Sequence, residues 1–241
     1  MGQTIVLVSS KGGSGKSTVA VGLSAALSLA SKKVLLIDID EGARCLDTML
    51  DLGVGTVFDI ADVVSGNATI GEAAVSVPKL HNLSVVPSPY ENKPLDFAAV
   101  SRVVDEESKN YDYIILDTKG QLPAERLCDL PKNAVFVAVV TPEPVALKNT
   151  GILCNGLIER GIVPRLIINR FKPLGINKYV NNIDKIINTC SAQLLGIVPE
   201  DKNLSAYVGK PIIFGSAAKA IHRIAARLSG EKVSLPKIKD I

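Results

Sequence analysis

The segment SSKGGSGKST occupies residues 9–18 and follows directly on a short apolar run, TIVLV, at 4–8. Glycine gives the backbone conformations that other residues avoid, and it lets the backbone approach a ligand closely. Successive backbone N–H groups and the positive end of a following helix then bind phosphate. In such a loop Lys16 reaches the β- and γ-phosphates of a nucleotide, and the Ser17 hydroxyl ligates Mg²⁺. We therefore predict a nucleotide phosphate-binding loop between a strand and a helix.

Short apolar, β-branched runs recur along the chain and alternate with segments of helical periodicity. The runs are mostly apolar at consecutive positions, which is typical of strands buried on both faces of a parallel sheet. They lie at 4–9, 33–39, 83–88, 113–117, 134–140, 165–169 and 194–198. Helical spacing of apolar residues is found at 17–30, 95–108, 144–161 and 215–230. This alternation predicts a three-layer α/β/α fold, in which helices cover both faces of a doubly wound, mostly parallel sheet, as in P-loop NTPases.

No linker, break in composition or clear internal repeat divides the 241 residues. An α/β domain of this length can be built around one core. We therefore predict one P-loop domain over residues 1–230. The remaining segment, 231–241, is short and charged and contains Pro236, so it is predicted to be a loosely attached tail.

Cysteine usage and charge restrict the class of protein. The four cysteines include no C-x-x-C pair, so neither a zinc ribbon nor a disulfide framework is indicated. The formal net charge of +3 comes without a long Lys/Arg cluster, which argues against nucleic acid as a partner. The chain opens without a secretory signal, and its first apolar run is too short to cross a bilayer. A cytoplasmic protein is expected.

Aspartates follow two of the predicted strands. Asp38 and Asp40 are two residues apart and so share one face of an extended chain. At the C-terminal edge of a parallel sheet they would point into the ligand crevice. Asp117 closes an apolar run, which is the Walker B arrangement, with the carboxylate held at Mg²⁺ or its waters. A lone aspartate at a strand end is more often a helix cap or a loop residue, and that alternative stands for each of them taken alone.

The loop departs from the usual P-loop, because Ser10 stands where the first glycine is expected and Lys11 is an additional lysine. In this, KGGSGKST resembles the deviant Walker A motif, KGGxGK[ST][ST], of the MinD/ParA/nitrogenase-iron-protein family. The string D-x-D-x-G-x-R-x-L-D from Asp38 to Asp47 resembles switch I of the MinD branch, with Cys45 where asparagine is usual. The resemblance extends from about residue 5 to about residue 226.

The resemblance implies a role for each of these residues. Lys11 would reach the nucleotide bound by a partner subunit, which implies an ATP-sandwiched homodimer. Asp40 would orient the attacking water, and Asp38 would lie in the water-mediated shell of Mg²⁺. The predicted catalytic residues are therefore Lys11, Lys16 and Asp40. The predicted metal site comprises Ser17, Asp38, Asp40 and Asp117.

The segment after Asp117 departs from the family. The usual continuation is D-[ST]-P-A-G, whereas this chain has Thr118-Lys119-Gly120-Gln121, with the glycine one residue early and a lysine in place of proline. Two alternatives follow. Gly120 supplies a backbone N–H to the γ-phosphate, as in the D-x-x-G spacing of GTPases, or switching at this segment is altered or slow.

Two later strand ends resemble the family's adenine pocket. Asn169-Arg170-Phe171 resembles N-R-[FY], whose asparagine reads adenine with one amide donor and one acceptor. Residues 196–201, GIVPED, match G-x-[IV]-P-[EDY]-[DS], and residues 209–211, GKP, continue the match. Each alone would be ordinary turn chemistry. The predicted nucleotide-binding set is Gly12, Gly13, Ser14, Gly15, Lys16, Ser17, Thr18, Asn169, Arg170, Pro199, Glu200 and Asp201.

The resemblance implies an ATPase that takes ATP or ADP with Mg²⁺, dimerises on binding ATP, and positions or recruits partners, as in the selection of a cell-division site. An activating or recruited protein is expected as its partner. One alternative is an accessory ATPase for metal-centre maturation, which needs exposed paired thiols. Another is a nucleotide-binding switch or scaffold with little turnover, which the altered segment 118–121 suggests.

Two further departures concern regulation. The MinD branch ends in a basic amphipathic helix that binds anionic membrane. Segment 231–241 has no aromatic residue and contains Pro236, so attachment to the inner face of the cell membrane is only weakly supported. Asn149 stands where the MinD branch tends to have an acidic residue near the signature lysine, which predicts looser control of Lys11 without ATP.

Overall fold

The computed structural model describes residues 1–41, 44–53, 57–91, 94–172, 182–201 and 215–236. Within these ranges the strands form one eight-stranded sheet with the order β3-β4-β2-β5-β1-β6-β7-β8. The strands are β1 (Gln3–Val8), β2 (Val34–Ile39), β3 (Val75–Val77), β4 (Leu80–Val86), β5 (Tyr113–Thr118), β6 (Val135–Val140), β7 (Arg165–Phe171) and β8 (Gln193–Pro199). Every pair is parallel except β3 with β4, so the predicted doubly wound, mostly parallel sheet is confirmed.

Helices cover both faces of the sheet. They are α1 (Lys16–Leu29), α2 (Cys45–Leu50), α3 (Ile60–Ser65), α4 (Ile70–Ala73), α5 (Phe97–Glu107), α6 (Ala124–Leu127), α7 (Pro144–Ile158), α8 (Ile183–Cys190) and α9 (Gly215–Leu228). The sequence predicted α1, α5, α7 and α9. It missed the edge strand β3 and the shorter helices, because elements of three to eight residues contain too few apolar positions for a period to be recognised.

The core consists of two apolar layers separated by the sheet. Ile5 and Leu7 of β1 pack with α1 and α9, whereas Val6 and Val8 pack on the other face with residues of α5 and α7. Because successive side chains of a strand point to opposite faces, both must be apolar where both faces are covered. This explains the uninterrupted apolar runs of the sequence.

Helix α1 is positioned by close packing of small residues. A Cβ atom at Gly22 would lie 2.7 Å from Cδ1 of Ile221 in α9, so glycine is what lets the two helices approach. The predicted apolar stripe of α9 is buried, including Ile221, Ile224 and Leu228. The packing fixes α1 under the sheet with its first residue, Lys16, at the carboxyl end of β1.

The residues after α9 are held by an arginine. Arg227 donates to the carbonyl oxygens of Leu195, Val233 and Ser234 at 2.6, 2.8 and 2.6 Å. Residues 237–241, which include two of the apolar residues of the predicted tail, lie outside the described ranges. The boundary between domain and tail at residue 230 stays a prediction. Of the helices in the described ranges, none combines the length and apolar character that a bilayer-spanning segment needs.

Candidate nucleotide-binding site

A cleft of about 280 Å³ opens at the carboxyl end of β1, over the amino terminus of α1. The loop that precedes α1 turns with left-handed backbone at Gly13 (φ 75°) and Gly15 (φ 84°), conformations that cost other residues energy. A Cβ atom at Gly15 would lie 2.2 Å from Nδ2 of Asn169, so a side chain at this position would force the amide of Asn169 to move. The cleft is lined by Ser9, Lys11, Gly12, Gly13, Ser14, Gly15, Lys16, Ser17, Thr18, Asp40, Cys45, Met49, Gly120 and Arg170.

A buried ion pair lies at the base of the loop. Nζ of Lys16 is 2.7 Å from Oδ1 of Asp117, and the two side chains are 6% and 0% exposed. Asp117 lies near the carboxyl end of β5 and pairs with Leu7 of β1, so the sheet holds it beside the strand that leads into the phosphate loop. The other carboxylate oxygen of Asp117 is buried and has no hydrogen-bond partner among the described residues. Asp117 therefore offers a free oxygen at the place where the sequence predicted a metal.

Asp38 lies beside Asp117, since β2 and β5 pair in register at these two residues. Its Oδ1 accepts from the backbone N–H of Asp40 at 3.0 Å, while its buried Oδ2 finds no partner in the described part of the chain. Burial and the neighbouring Asp117 raise the pKa of Asp38 to about 7, against the opposing effect of hydrogen bonds from the backbone of Asp40 and Leu46. Unpartnered charge of this kind favours a bound cation.

The donor set fits magnesium rather than a metal held by protein alone. No group of three or more His, Cys, Asp or Glu side chains that could hold a metal ion occurs in the ranges that the structure describes. Mg²⁺ at nucleotide sites usually keeps several waters and is bound by one or two carboxylates plus substrate phosphates. Asp38 and Asp117 provide two adjacent carboxylates with free oxygens, and Ser17 provides a hydroxyl that lines the cleft, so the residues present meet that requirement.

Asp40 lines the cleft and is half-buried. Its pKa is raised, chiefly because burial disfavours the charged form. Lys16 and Lys119 act in the opposite direction, and Asp117 and Glu41 add to the rise. The predicted water-orienting carboxylate thus lines the phosphate cleft, and two lysines and two other carboxylates act on it.

The signature lysine contacts a carboxylate that the sequence did not suggest. Nζ of Lys11 is 2.8 Å from Oε2 of Glu143, and both side chains are more than half exposed. This hydrogen bond is the main reason why the pKa of Glu143 is lowered. The prediction from Asn149 was looser control of Lys11. It stays a prediction: Glu143 at the amino-terminal cap of α7 does supply a carboxylate to Lys11, and such an exposed pair contributes only about 0–1 kcal/mol.

The segment after Asp117 is attached to the phosphate loop on both sides of Lys119. Thr118 Oγ1 donates to the carbonyl oxygen of Leu7 at 2.7 Å, and the N–H of Gln121 donates to that of Ser9 at 2.8 Å. Between them Gly120 approaches Gly12, where a Cβ atom would lie 3.3 Å from the Gly12 nitrogen.

The left-handed residue of this segment is Gln121, with φ 67°. It stands at the place of the glycine in the family's D-[ST]-P-A-G. Gly120 is needed for close approach and not for a positive φ. The early glycine and the retained left-handed turn are therefore two separate features of this segment.

Switch I is held by contacts that sequence patterns did not reveal. Oε1 of the buried Glu41 accepts from Arg126 at 2.5 Å and from the backbone N–H of Leu95 at 2.8 Å. Arg126 also lies over the ring of Phe97, 4.7 Å from its centroid. Because Glu41 follows Asp40 directly, this cluster fixes the chain next to the predicted water-orienting residue. From the sequence, Glu41 could have been noticed only because it follows Asp40. No pattern in the sequence indicated a role for Arg126.

The residue Cys45 replaces the usual asparagine of switch I. Its Sγ lies 3.5 Å from Oγ of Ser17, and burial raises the pKa of its thiol to about 11. It is therefore a neutral thiol beside the predicted metal ligand. The other cysteines, Cys128, Cys154 and Cys190, are half-buried or buried, and all four are free. The four cysteines, which all lie within the described ranges, provide no exposed pair of thiols to support metal-centre maturation.

The residues predicted to bind adenine fall into two groups. Asn169 is buried and donates from Nδ2 to the carbonyl oxygen of Ser14 at 2.8 Å, and Arg170, with φ 55°, lines the cleft. Pro199 lies beside β7 at the end of β8, followed by Glu200, which pairs with Lys172 at 2.6 Å, and by Asp201. This second group does not line the phosphate cleft. The assignment of both groups to adenine stays a prediction, and residues 209–211 lie outside the described ranges.

A glycine loop between a central strand and a buried helix, with a lysine paired to a strand-end aspartate, defines a P-loop nucleotide-binding protein of the deviant Walker A class. The profile of the CobQ/CobB/MinD/ParA nucleotide-binding domain matches residues 5–212, and the chain belongs to this MinD/ParA family of ATPases. The family predicted from residues 11–18 and 38–47 is thereby confirmed.

Relatives of MinD type match over nearly the whole chain. The septum site-determining protein MinD of Bacillus subtilis is 32% identical, with 100% of this chain and 94% of that protein covered. MinD of Helicobacter pylori is 30% identical over 99% and 95% of the two chains. The match supports a role in placing the cell-division site.

Solved structures agree with the fold. The MinC:MinD cell division protein complex of Aquifex aeolicus gives a TM-score of 0.86 at 30% identity, covering 98% of this chain and 99% of that chain. MinD of Pyrococcus horikoshii, solved with Mg-ADP, gives 0.79 at 24% identity over 97% and 100%. That second likeness concerns the fold alone.

Proposed function

We propose that this protein binds Mg-ATP in the phosphate cleft, dimerises around it and hydrolyses it, and that this cycle positions a partner at the cell-division site. The observation that carries this proposal is the buried pair of Lys16 and Asp117 beside free carboxylate oxygens on Asp38 and Asp117. A lysine and two unsatisfied carboxylates at a glycine loop match the opposite charges of a polyphosphate and its cation.

Residues of the cleft have separate tasks in binding. The backbone N–H groups of residues 12–18 would bind phosphate oxygens, and Lys16 would exchange Asp117 for the β- and γ-phosphates. Ser17, Asp38 and Asp117 would hold Mg²⁺ directly or through water. The metal supplies neutralisation of phosphate charge when it is bound.

Hydrolysis requires a positioned water more than covalent help from the protein. Asp40 lines the cleft, and its carboxylate is proposed to accept a hydrogen bond from a water directed at the γ-phosphate. Gly120 lines the same cleft and lies against Gly12, and its backbone N–H is proposed to donate to the γ-phosphate.

Dimerisation is proposed to depend on Lys11. Its pair with Glu143 is exposed, and exposed ion pairs contribute about 0–1 kcal/mol, so Lys11 can leave Glu143 at small cost. It would then contact the nucleotide held by the second subunit. The ATP-bound dimer is proposed to recruit a protein partner, by analogy with MinD of Aquifex aeolicus, which was solved in complex with MinC.

The test combines light scattering after size exclusion with phosphate release. With Mg-ATP, the wild type should run as a dimer and with Mg-ADP as a monomer, and Lys11→Ala should stay monomeric with both. Lys109→Ala is the matched control, because Lys109 is exposed and lies beyond α5, at the edge of the sheet opposite the cleft. Asp40→Ala should dimerise with ATP but release no phosphate above the buffer rate.

Other outcomes would select the alternatives. A wild-type protein that dimerises with ATP and releases phosphate no faster than Asp40→Ala would be a low-turnover switch. A dimer that forms equally with ADP, or in Lys11→Ala, would contradict the proposal. ATP-dependent co-sedimentation with anionic vesicles tests attachment at the membrane separately.

A further inference from the structure

Lys119 is a charged residue at a position where the family pattern has proline, and it lies at the edge of the nucleotide site. Strands β2 and β5 are in register at Asp38 with Asp117 and at Ile39 with Thr118. Asp40 and Lys119 each follow the paired aspartates by two residues. Asp40 and Lys119 are therefore the first residues beyond two paired strand ends, and the charge of Lys119 acts on the carboxylate of Asp40.

The backbone at Lys119 is held in this place from both directions. Thr118 is anchored to Leu7, Gln121 is anchored to Ser9, and Gly120 packs against the phosphate loop. The side chain of Lys119 is half-buried, so part of it is withdrawn from solvent. A lysine on a fixed, short segment next to a partly buried carboxylate interacts more strongly than a freely moving surface lysine.

Charge at the site changes when a nucleotide binds. Lys16 and Lys119 both act on Asp40, and Lys16 is also paired with Asp117. A triphosphate in the cleft would take up the charge of Lys16. Lys119 of the same chain would still act on Asp40, before Lys11 of a second subunit arrives.

We propose that Lys119 is a positioning residue for hydrolysis: it links segment 118–121 to switch I by pairing with Asp40 and holds that carboxylate towards the attacking water. This inference rests on the proposed function. It goes beyond that function because it gives a role to Lys119, which stands where the family has proline. Each subunit would use its own Lys119 at its own nucleotide site.

The test compares Lys119→Met, Lys119→Arg, Asp40→Glu and the double variant Lys119→Met/Asp40→Glu in steady-state ATP hydrolysis. We expect Lys119→Met to lower kcat about tenfold, since loss of orientation at the reacting centre can cost up to about a hundredfold, while KM for ATP changes less than about twofold. Lys119→Arg should keep at least about half of kcat, because it keeps the charge. Lys109→Met is the matched control, because Lys109 is an exposed lysine away from the cleft.

The double variant separates positioning from a general effect on the fold. If Lys119 acts through Asp40, Lys119→Met should cause a smaller loss in an Asp40→Glu background, where the carboxylate is retained but displaced, than in the wild type, and affinity for Mg-ADP should equal that of wild type by calorimetry. Additive losses, a rate for Lys119→Met equal to wild type, or loss of ADP binding in both Lys119→Met and Lys119→Arg would each overturn the inference. A wild type that binds Mg-ATP without turnover would instead refute the proposed hydrolysis, and this role with it.

Discussion

Replacing Arg126 with alanine removes the cation that the buried Glu41 contacts. Arg126 donates to Oε1 of Glu41 at 2.5 Å and to the carbonyl oxygen of Leu95 at 3.2 Å, and it lies over the ring of Phe97. The side chain of Glu41 is only 5% exposed, so its carboxylate would keep the single hydrogen bond from the backbone of Leu95.

The expected loss follows from these contacts. Breaking a buried pair by removing one partner costs about 3–5 kcal/mol, but the side chain of Arg126 is 32% exposed, and water will partly replace it. We therefore expect about 2–3 kcal/mol in the free energy of unfolding. In a protein of this size, each kcal/mol of lost stability lowers Tm by about 2–4 °C, so we expect Tm to fall by about 4–12 °C.

Urea denaturation followed by circular dichroism measures this loss, with Arg102→Ala as control because Arg102 is an exposed arginine of α5. Glu41→Gln in the same background should recover part of the loss, since it leaves no buried charge. A stability of Arg126→Ala within about 0.5 kcal/mol of Arg102→Ala would refute the idea that this cluster holds switch I.

Three further changes test the site. First, the pKa of Asp38 is raised from 3.8 to about 7 in the folded protein, so the folded state binds this proton more tightly than the unfolded state. The contribution of Asp38 to stability is therefore present below about pH 4 and is lost as pH rises towards 7. In metal-free urea titrations, Asp38→Asn should gain stability relative to wild type between about pH 5 and pH 7.5, and a constant difference would contradict this. Second, Gly15→Ala should weaken binding of Mg-ADP at least about fivefold in calorimetry, because the φ of 84° strains any other residue and the added Cβ would displace the amide of Asn169; wild-type affinity would show that the loop adapts. Third, Gly120→Ala should weaken Mg-ATP more than Mg-ADP, by roughly two- to tenfold, since the phosphate loop must shift by a few tenths of an ångström; equal losses with both nucleotides would argue against contact with the γ-phosphate.

The central part of the fold could be predicted from sequence because its determinants are local. Uninterrupted apolar runs identified β1, β2, β5, β6 and β7, and the glycine loop fixed where α1 begins. Local patterns also located the aspartates at strand ends, which the parallel register of β2 and β5 then brings together.

What the sequence did not reveal depends on residues that are distant along the chain. Glu143 lies 132 residues after Lys11, and Arg126 lies 85 residues after Glu41, so no spacing rule connects them. The positive φ of Gln121 could not be predicted, because glutamine rarely adopts such a φ and the neighbouring Gly120 is the residue that would be expected to have it.

Binding of nucleotide phosphates by the amides of residues 12–18, with Lys16, underlies every functional proposal made for this protein. Calorimetric titration with Mg-ATP and Mg-ADP measures this directly in the wild type and in Lys16→Met, whose folding is checked by circular dichroism. We predict saturable heat of binding in the wild type and a loss of at least about tenfold in affinity in Lys16→Met. No heat of binding in the folded wild type, or equal affinity in the two proteins, would contradict it.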